Sequence, residues 1–256
     1  MTNSLIYEPK GRAREYAALA CNIYRGCDHG CKYCFAPNVL RRQRADFVIA
    51  EPRSGFLSQL REESEWRKPK GQVLLCFTCD PYQHLDDELK LTRETIEILH
   101  DGGFDVCVLT KGGSRALRDI ELFTPTDAFA TTLTTLHSAD SREWEPDAAL
   151  PSDRIHTIAE FHACGIPTWV SLEPVLDPDT ALRIIRSTHQ VVDLFKVGKL
   201  NYHPHAKETD WRAFALAAIE LLDSLGYRRE EDPDLVRSAN KTNRQYYIKR
   251  DLAKYL

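Results

Sequence analysis

Short, almost wholly apolar runs alternate along this chain with longer stretches in which apolar residues recur every three or four positions. That alternation predicts strands buried on both faces, each followed by an amphipathic helix. "QVLLCFTCD" (72–80) reads as a strand, and "LKLTRETIEILHDGG" (89–103) as its helix, with Leu89, Ile96 and Leu99 near one face and the glycine pair as a stop. "FDVCVLTKGG" (104–113) is the next strand, followed by a helix over "SRALRDIELF" (114–123) opened by Ser114. A strand at 127–136, a helix at 152–165 capped by Ser152, a strand at 166–175, a helix at 179–189, a strand at 191–199 and a helix at 207–226 continue the series. One more strand just ahead of residue 27 brings the count to about six βα units, too few for a closed eight-unit barrel. The expected fold is α/β: a partial, open (βα)6 barrel with a parallel sheet, outer helices and a C-terminal extension. A single domain spans 1–256, with the barrel core at 18–200 and a C-terminal helix and basic tail at 207–256.

In such a sheet the functional side chains gather at the carboxyl ends of the strands. Those ends are Cys27 to Cys34, Thr78 to Asp80, Thr110–Lys111, Thr132 to Thr135, Glu173 and Lys196 to Lys199. Composition adds limits. At 43% hydrophobic and 28% charged, the chain buries a sizeable core without a membrane-length apolar run. Its N-terminus lacks a signal-peptide apolar region, so a soluble, cytoplasmic protein is expected. The net charge of −4 hides an asymmetry. Residues 1–50 carry eight Lys/Arg against four Asp/Glu, and residues 237–256 carry six against one, which leaves −13 for the middle. Basic ends meet phosphate in some proteins, although most such runs are solvated surface.

The densest chemistry lies in "RGCDHGCKYCFAP" (25–37), where Cys27, Cys31 and Cys34 fall as C-x₃-C-x₂-C. A helical face of buried thiols is opposed by Gly26 and Gly30, and a disulfide by the reducing cytosol. A zinc site needs four ligands, for which His29 or the Cys76-x₂-Cys79 pair are the available candidates. Three thiolates on a cubane iron–sulfur cluster would leave one iron open to a non-protein ligand.

C-x₃-C-x₂-C with an aromatic residue, Tyr33, before the last cysteine resembles the signature of the radical S-adenosylmethionine (SAM) enzymes. "NIYRGCDHGCKYCFAP", "TCDPYQHLDDELKLTRETIEIL", "VLTKGG", "TLTTL" and "WEPDAALPSDRI" are similar, in order, to the spore photoproduct lyase-like branch of that superfamily. The resemblance runs from about residue 20 to 175 and, through the barrel, to about 200. It implies a [4Fe-4S] cluster on Cys27, Cys31 and Cys34, with S-adenosylmethionine on the open iron and a 5′-deoxyadenosyl radical as the reactive species. It also implies that Asp80, with Thr78 beside it, accepts from the SAM amine and that Lys111 meets the SAM carboxylate. Thr132 and Arg154 match SAM-side positions of the branch, and Tyr33 and Phe35 flank the last cysteine where an aromatic packs on adenine. Each has a plainer alternative: a turn at Asp80-Pro81, a solvated Lys111, a strand threonine, a helix-surface arginine and core aromatics.

One position departs from the branch. Where a hydrogen-donating cysteine would stand, three residues before the aspartate, this chain has Phe77. Strand alternation puts Cys79 on the same face as Phe77 and turns Cys76 away, so Cys79 is the candidate donor. Cys76, Cys107 and Cys164 are expected in the core. "LNYHPH" (200–205) and "NKTNRQYYIKRDLAKYL" (240–256) bring His203, His205, Tyr246 and Tyr247 among cations, which suits base stacking or a docked C-terminal segment. The expected partners are a reductant protein such as flavodoxin or ferredoxin and, from the branch, a nucleic-acid substrate. A peptide or metabolite substrate is the alternative within the superfamily, and a zinc-stabilised nucleic-acid-binding module the alternative outside it.

Overall fold

A computed structural model describes residues 4–201, 204–232 and 239–256. In chain order the strands are β1 (Leu19–Cys21), β2 (Tyr24–Arg25), β3 (Glu51–Pro52), β4 (Gln72–Leu75), β5 (Asp105–Thr110), β6 (Ala128–Thr132), β7 (Thr168–Leu172), β8 (Leu194–Val197), β9 (Arg228–Arg229) and β10 (Gln245–Ile248). The helices are α1 (Ala36–Val39), α2 (Arg44–Phe47), α3 (Phe56–Trp66), α4 (His84–Leu89), α5 (Leu91–Asp101), α6 (Ser138–Trp144), α7 (Pro151–Ala163), α8 (Pro178–Thr188), α9 (Trp211–Ser224) and α10 (Arg250–Ala253). The main sheet runs β1-β4-β5-β6-β7-β8-β10-β9, and every pairing in it is parallel. Among the described residues no ladder joins β1 to the far edge, so the barrel is open.

Alternation along each strand sorts the residues into two layers. Val73, Leu75, Val106, Val108, Phe129, Val170 and Phe195 face the helices. Leu74, Cys107, Ala128, Ala130, Trp169 and Leu194 face the barrel interior, where small side chains leave room and Trp169 fills part of it. The N-terminal segment touches β1 at one edge and the end of β10 near the other. Tyr7 pairs with Ala20 of β1, and the buried Glu15 accepts from the Tyr247 hydroxyl at 3.0 Å and the Arg250 amide at 2.7 Å.

Several expected elements shift. The strand expected at 72–80 stops at Leu75, because the Asn22 side chain captures the amides of Phe77 and Thr78 at 2.8 and 2.9 Å and bends the chain away from the sheet. The 114–123 helix is a 3-10 helix, Gly113–Leu122, and Ser114 does not cap it; its amide donates to Asp153 of α7 instead. Nor does Ser152 cap α7, which starts at Pro151. Asp177 and Asp210 do cap α8 and α9.

The basic tail takes the course of a docked C-terminal segment and not that of a stacking surface. "QYYI" is β10, a fully buried strand laid against β8, so Tyr246 and Tyr247 are core residues with no face for a nucleobase. Cys164 is also corrected: it follows α7 as an exposed residue, whereas Cys107 is buried as expected. His203 and the side chain of His205 lie outside the described residues.

Candidate active site

The loop after β2 carries the three cysteines. Gly26 turns it at φ +81°, and a Cβ there would meet the carbonyl oxygens of Phe47 and Ile49 at 2.6 Å, so only glycine fits. The following segment braces every cysteine. The Cys27 amide donates to Phe47 O at 2.9 Å, while the Arg44 guanidinium donates to Cys31 O at 3.0 Å and Cys34 O at 3.1 Å.

This loop forms one side of a cavity of about 490 Å³ at the carboxyl ends of the strands. Cys27, Cys31, Cys34, Tyr33, Phe35, Thr78, Cys79, Asp80, Lys111 and Thr132 all line it. Arg154 does not. It is buried behind the cavity, paired with Glu145 at 2.6 Å and donating to Thr132 O and Ala149 O. Glu145 in turn accepts from the Tyr33 hydroxyl. Arg154 therefore positions Tyr33 and the end of β6 from behind, in place of the ligand contact expected for it.

Asp80 reaches the cavity, but the protein occupies its carboxylate. Oδ1 accepts from the Tyr82 amide at 2.9 Å and the Thr110 hydroxyl at 2.5 Å; Oδ2 accepts from the Lys111 amide at 2.7 Å and lies 3.4 Å from His29 Nδ1. Burial alone would raise its pKa, yet His29, the Lys111 amide and Thr110 bring it well below the ordinary carboxylate range. Asp80 thus ties β4, β5 and the cysteine loop together, with little left to offer an amine. Lys111 is different. Burial works against its charge, but Cys31 and Glu145 outweigh that effect and raise its pKa, so it stays a cation beside the cysteines.

Burial pushes the Cys27 thiol well up and the Cys31 thiol to about 12. Both stay protonated until a metal displaces the proton. Among the described residues no three His, Cys, Asp or Glu side chains converge tightly enough for one metal ion. A cubane asks for something else, since each thiolate binds a separate iron. Three thiols on one cavity wall, with a cation beside them, fit that demand better than the four converging ligands of zinc.

The bend after β4 removes the premise that separated Cys76 from Cys79. Both line the cavity, and burial, with the neighbouring Cys79, raises the thiol pKa of Cys76, which is also a core residue as expected. Phe77 packs edge-on against Tyr16 at 5.9 Å. Across from the cysteines stand groups that sequence patterns left unassembled. Tyr16 donates to Glu173 Oε2 at 2.7 Å, Lys249 pairs with the same oxygen, and the Lys249 ammonium sits 4.0 Å from the Tyr16 ring centre. Glu173 was visible as a strand end. Tyr16 and Lys249 carried no signal, because their partners lie more than 70 residues away in the chain.

Fold and site define an open parallel α/β barrel with a thiol-lined cofactor cavity at the carboxyl ends of its strands. The chain belongs to the radical SAM superfamily, whose family model matches residues 21–188. Membership implies a [4Fe-4S] cluster, S-adenosylmethionine and radical chemistry. An uncharacterized protein of Mycobacterium tuberculosis is 29% identical over 171 residues, 60% of this chain and 48% of its own length. This chain therefore spans about half of that relative. An uncharacterized protein of Methanocaldococcus jannaschii is 24% identical over 169 residues, 64% of this chain and 62% of its own. Among solved structures, a spore photoproduct lyase variant superposes with TM-score 0.68 at 11% identity, covering 96% of this chain and 79% of the lyase. SuiB of Streptococcus suis bound to precursor peptide SuiA gives TM-score 0.59 at 15% identity, covering 92% and 50%. At such identities the likeness is one of fold.

Proposed function

We propose that this protein is a radical SAM enzyme that reductively cleaves S-adenosylmethionine at a [4Fe-4S] cluster held by Cys27, Cys31 and Cys34. The observation that carries it is the convergence of these three thiols and the Lys111 cation on one cavity at the carboxyl ends of a parallel sheet. Cluster and cofactor, when bound, supply a 5′-deoxyadenosyl radical able to abstract hydrogen. The chain's own residues do the rest. Lys111 holds a carboxylate, the Thr78 and Thr132 side chains offer hydroxyls, and Tyr33 and Phe35 give apolar surface for adenine. Asp80 and Arg154 hold these groups in place through the contacts above. Cys79, on the cavity wall, serves as the thiol that returns a hydrogen atom, a role supported by its place in the lining.

A cavity of about 490 Å³ falls in the ordinary range of small-molecule sites, about 300–1,000 Å³. A nucleic-acid lesion is the substrate favoured by the likeness to spore photoproduct lyase, one structure of which carries bound AdoMet and dinucleoside spore photoproduct. A peptide group is the one favoured by SuiB. The test is anaerobic reconstitution with iron and sulfide, then incubation with S-adenosylmethionine and dithionite. About four irons per chain and release of 5′-deoxyadenosine are expected; a protein that binds only zinc and releases none refutes the proposal. Stimulation by a lesion-bearing oligonucleotide or by a peptide then decides the substrate class.

A further inference from the structure

Two carboxylates line the active cavity among the described residues, Asp80 and Glu173, and they differ in what they hold. Both oxygens of Asp80 accept from the protein. Glu173, just past β7, uses one oxygen only: Oε2 takes both the Tyr16 hydroxyl, at 2.7 Å, and the Lys249 ammonium. Oε1 accepts from no group among the described residues, and the side chain is 17% exposed on the cavity wall. The fold makes room for it. A Cβ on Gly198, just past β8, would lie 2.9 Å from the Glu173 carboxyl carbon and 3.0 Å from its Cβ. The Gly198 backbone is not left-handed, so what glycine supplies there is space for Glu173. Ser171 Oγ of β7, 3.1 Å from the Tyr16 hydroxyl, fixes that hydroxyl in turn.

We propose that Glu173 selects the substrate by accepting, through Oε1, an uncharged amide N–H of a peptide, a choice of substrate class that rests on the radical SAM assignment above. Charge points to this ligand. Lys249 balances Glu173, so a free amine would meet a cation beside its acceptor, whereas a neutral N–H meets no such repulsion. A phosphodiester would meet a carboxylate, and few cations are left to offset it. Of the Lys and Arg side chains lining the cavity, Arg12 is paired with Asp251 at 2.8 Å, Arg44 holds the Cys31 and Cys34 carbonyls, and Lys199 lies over the Trp211 and Tyr255 rings. Lys249 holds Glu173 and Lys111 stands by the cysteines, which among the described residues leaves Lys10. One exposed lysine does not track a nucleic-acid backbone. A peptide backbone brings an N–H at nearly every residue and no phosphate.

The test uses the reconstituted protein with S-adenosylmethionine and dithionite, and reads 5′-deoxyadenosine release with a probe relative to release without one. Three probes are compared: a pool of short peptides acetylated and amidated at their ends, the same pool with its backbone amides N-methylated, and a pool of single-stranded DNA oligonucleotides. Stimulation by the first pool alone is expected. Glu173→Gln, which removes the charge, and Gly198→Ala, which displaces the carboxylate, should each lower that stimulation about tenfold, the difference between a charged acceptor and a neutral or misplaced one. No stimulation by the capped peptides, equal stimulation by the methylated pool, or stimulation by DNA in its place would overturn the proposal. So would stimulation unchanged in both variants. If either variant fails to fold, the methylated pool on wild-type protein still decides. A wild-type protein that takes up no iron, or releases no 5′-deoxyadenosine with any probe, would fail the radical SAM assignment first, and this proposal with it.

Discussion

The chain has two basic stretches, residues 25–49 and 240–256, and they end in opposite places. The first leaves Arg41, Val39 and Ile49 in water while its backbone braces the cysteines. The second carries Tyr246, Tyr247 and Lys249 inside, with Lys249 only 2% exposed and paired to Glu173. The difference lies in what each backbone can pair with. "QYYI" is rich in strand formers and finds the open edge of β8, whereas "FAPNVL", with proline at its start, forms only one short turn. Charge count alone does not decide exposure. An available sheet edge does.

The sharpest way to test the importance of the first stretch is to remove a cysteine. Cys31→Ala is expected to abolish the four-iron cluster and 5′-deoxyadenosine release entirely, while the exposed Cys164→Ala keeps both. Iron and sulfide analysis with a product assay checks this; full iron content in Cys31→Ala would end the cluster assignment.

The tail should instead respond in stability. Lys249→Ala removes the cation from the partly buried Glu173 carboxylate, which keeps its Tyr16 hydrogen bond, and should cost about 1–3 kcal/mol. Arg41→Ala, at the exposed end of the comparison, should stay within about 0.5 kcal/mol. Urea denaturation of both variants measures the contrast. Equal, small effects would mean that the C-terminal strand adds little to the fold.

How far the sequence reveals the molecule follows the same division. The series of strands from β4 to β8 and the cysteine loop were legible because both are local patterns: short, almost wholly apolar runs, and three thiols within eight positions. The interior layer was legible only in part. Cys76 is buried in the core as expected, but its place on the cavity wall was hidden, because a strand was expected to continue to Asp80 and the Asn22 side chain that breaks it lies more than 50 residues away. Arg154 and Asp80 match motif positions expected to contact a ligand, and of the two only Asp80 lines the cavity. Their saturation by Glu145, Thr110 and the Lys111 amide is tertiary, and no spacing encodes it. For the tail, base stacking and a docked segment both fitted the aromatics and charges, which say nothing about a vacant edge on β8.

Asp80 gives a pH signature that separates a bracing carboxylate from a ligand-facing one. Its folded pKa is depressed, so its contribution is complete above the ordinary carboxylate value near 4 and fades as pH falls below that toward the folded value. Asp80→Asn should cost about 1–3 kcal/mol at pH 7 through the broken hydrogen bonds. The gap to wild type should narrow below about pH 4. Urea midpoints at pH 7, 4 and 3 provide the check; a gap independent of pH would show that the charge of Asp80 does not serve the fold.

The smallest expected effect is the most discriminating for the tail. The Tyr247 hydroxyl donates to Glu15 Oε1 at 3.0 Å, and that oxygen also accepts from the Arg250 amide at 2.7 Å. Tyr247→Phe removes one donor and leaves the carboxylate its second, so the loss should be about 1 kcal/mol of stability. Nothing should change in affinity for single-stranded DNA or RNA, because a buried ring has no free face to stack. If Tyr247 instead stacked on a base, a change to Ala would cost about 1–3 kcal/mol of binding, and a change to Phe, which keeps the ring, would cost little of either quantity. Denaturant midpoints for Tyr247→Phe, set beside fluorescence anisotropy of both variants with a single-stranded oligonucleotide at two salt concentrations, separate the cases. Lost stability with unchanged anisotropy places the ring in the core, and the reverse would return the tail to the surface.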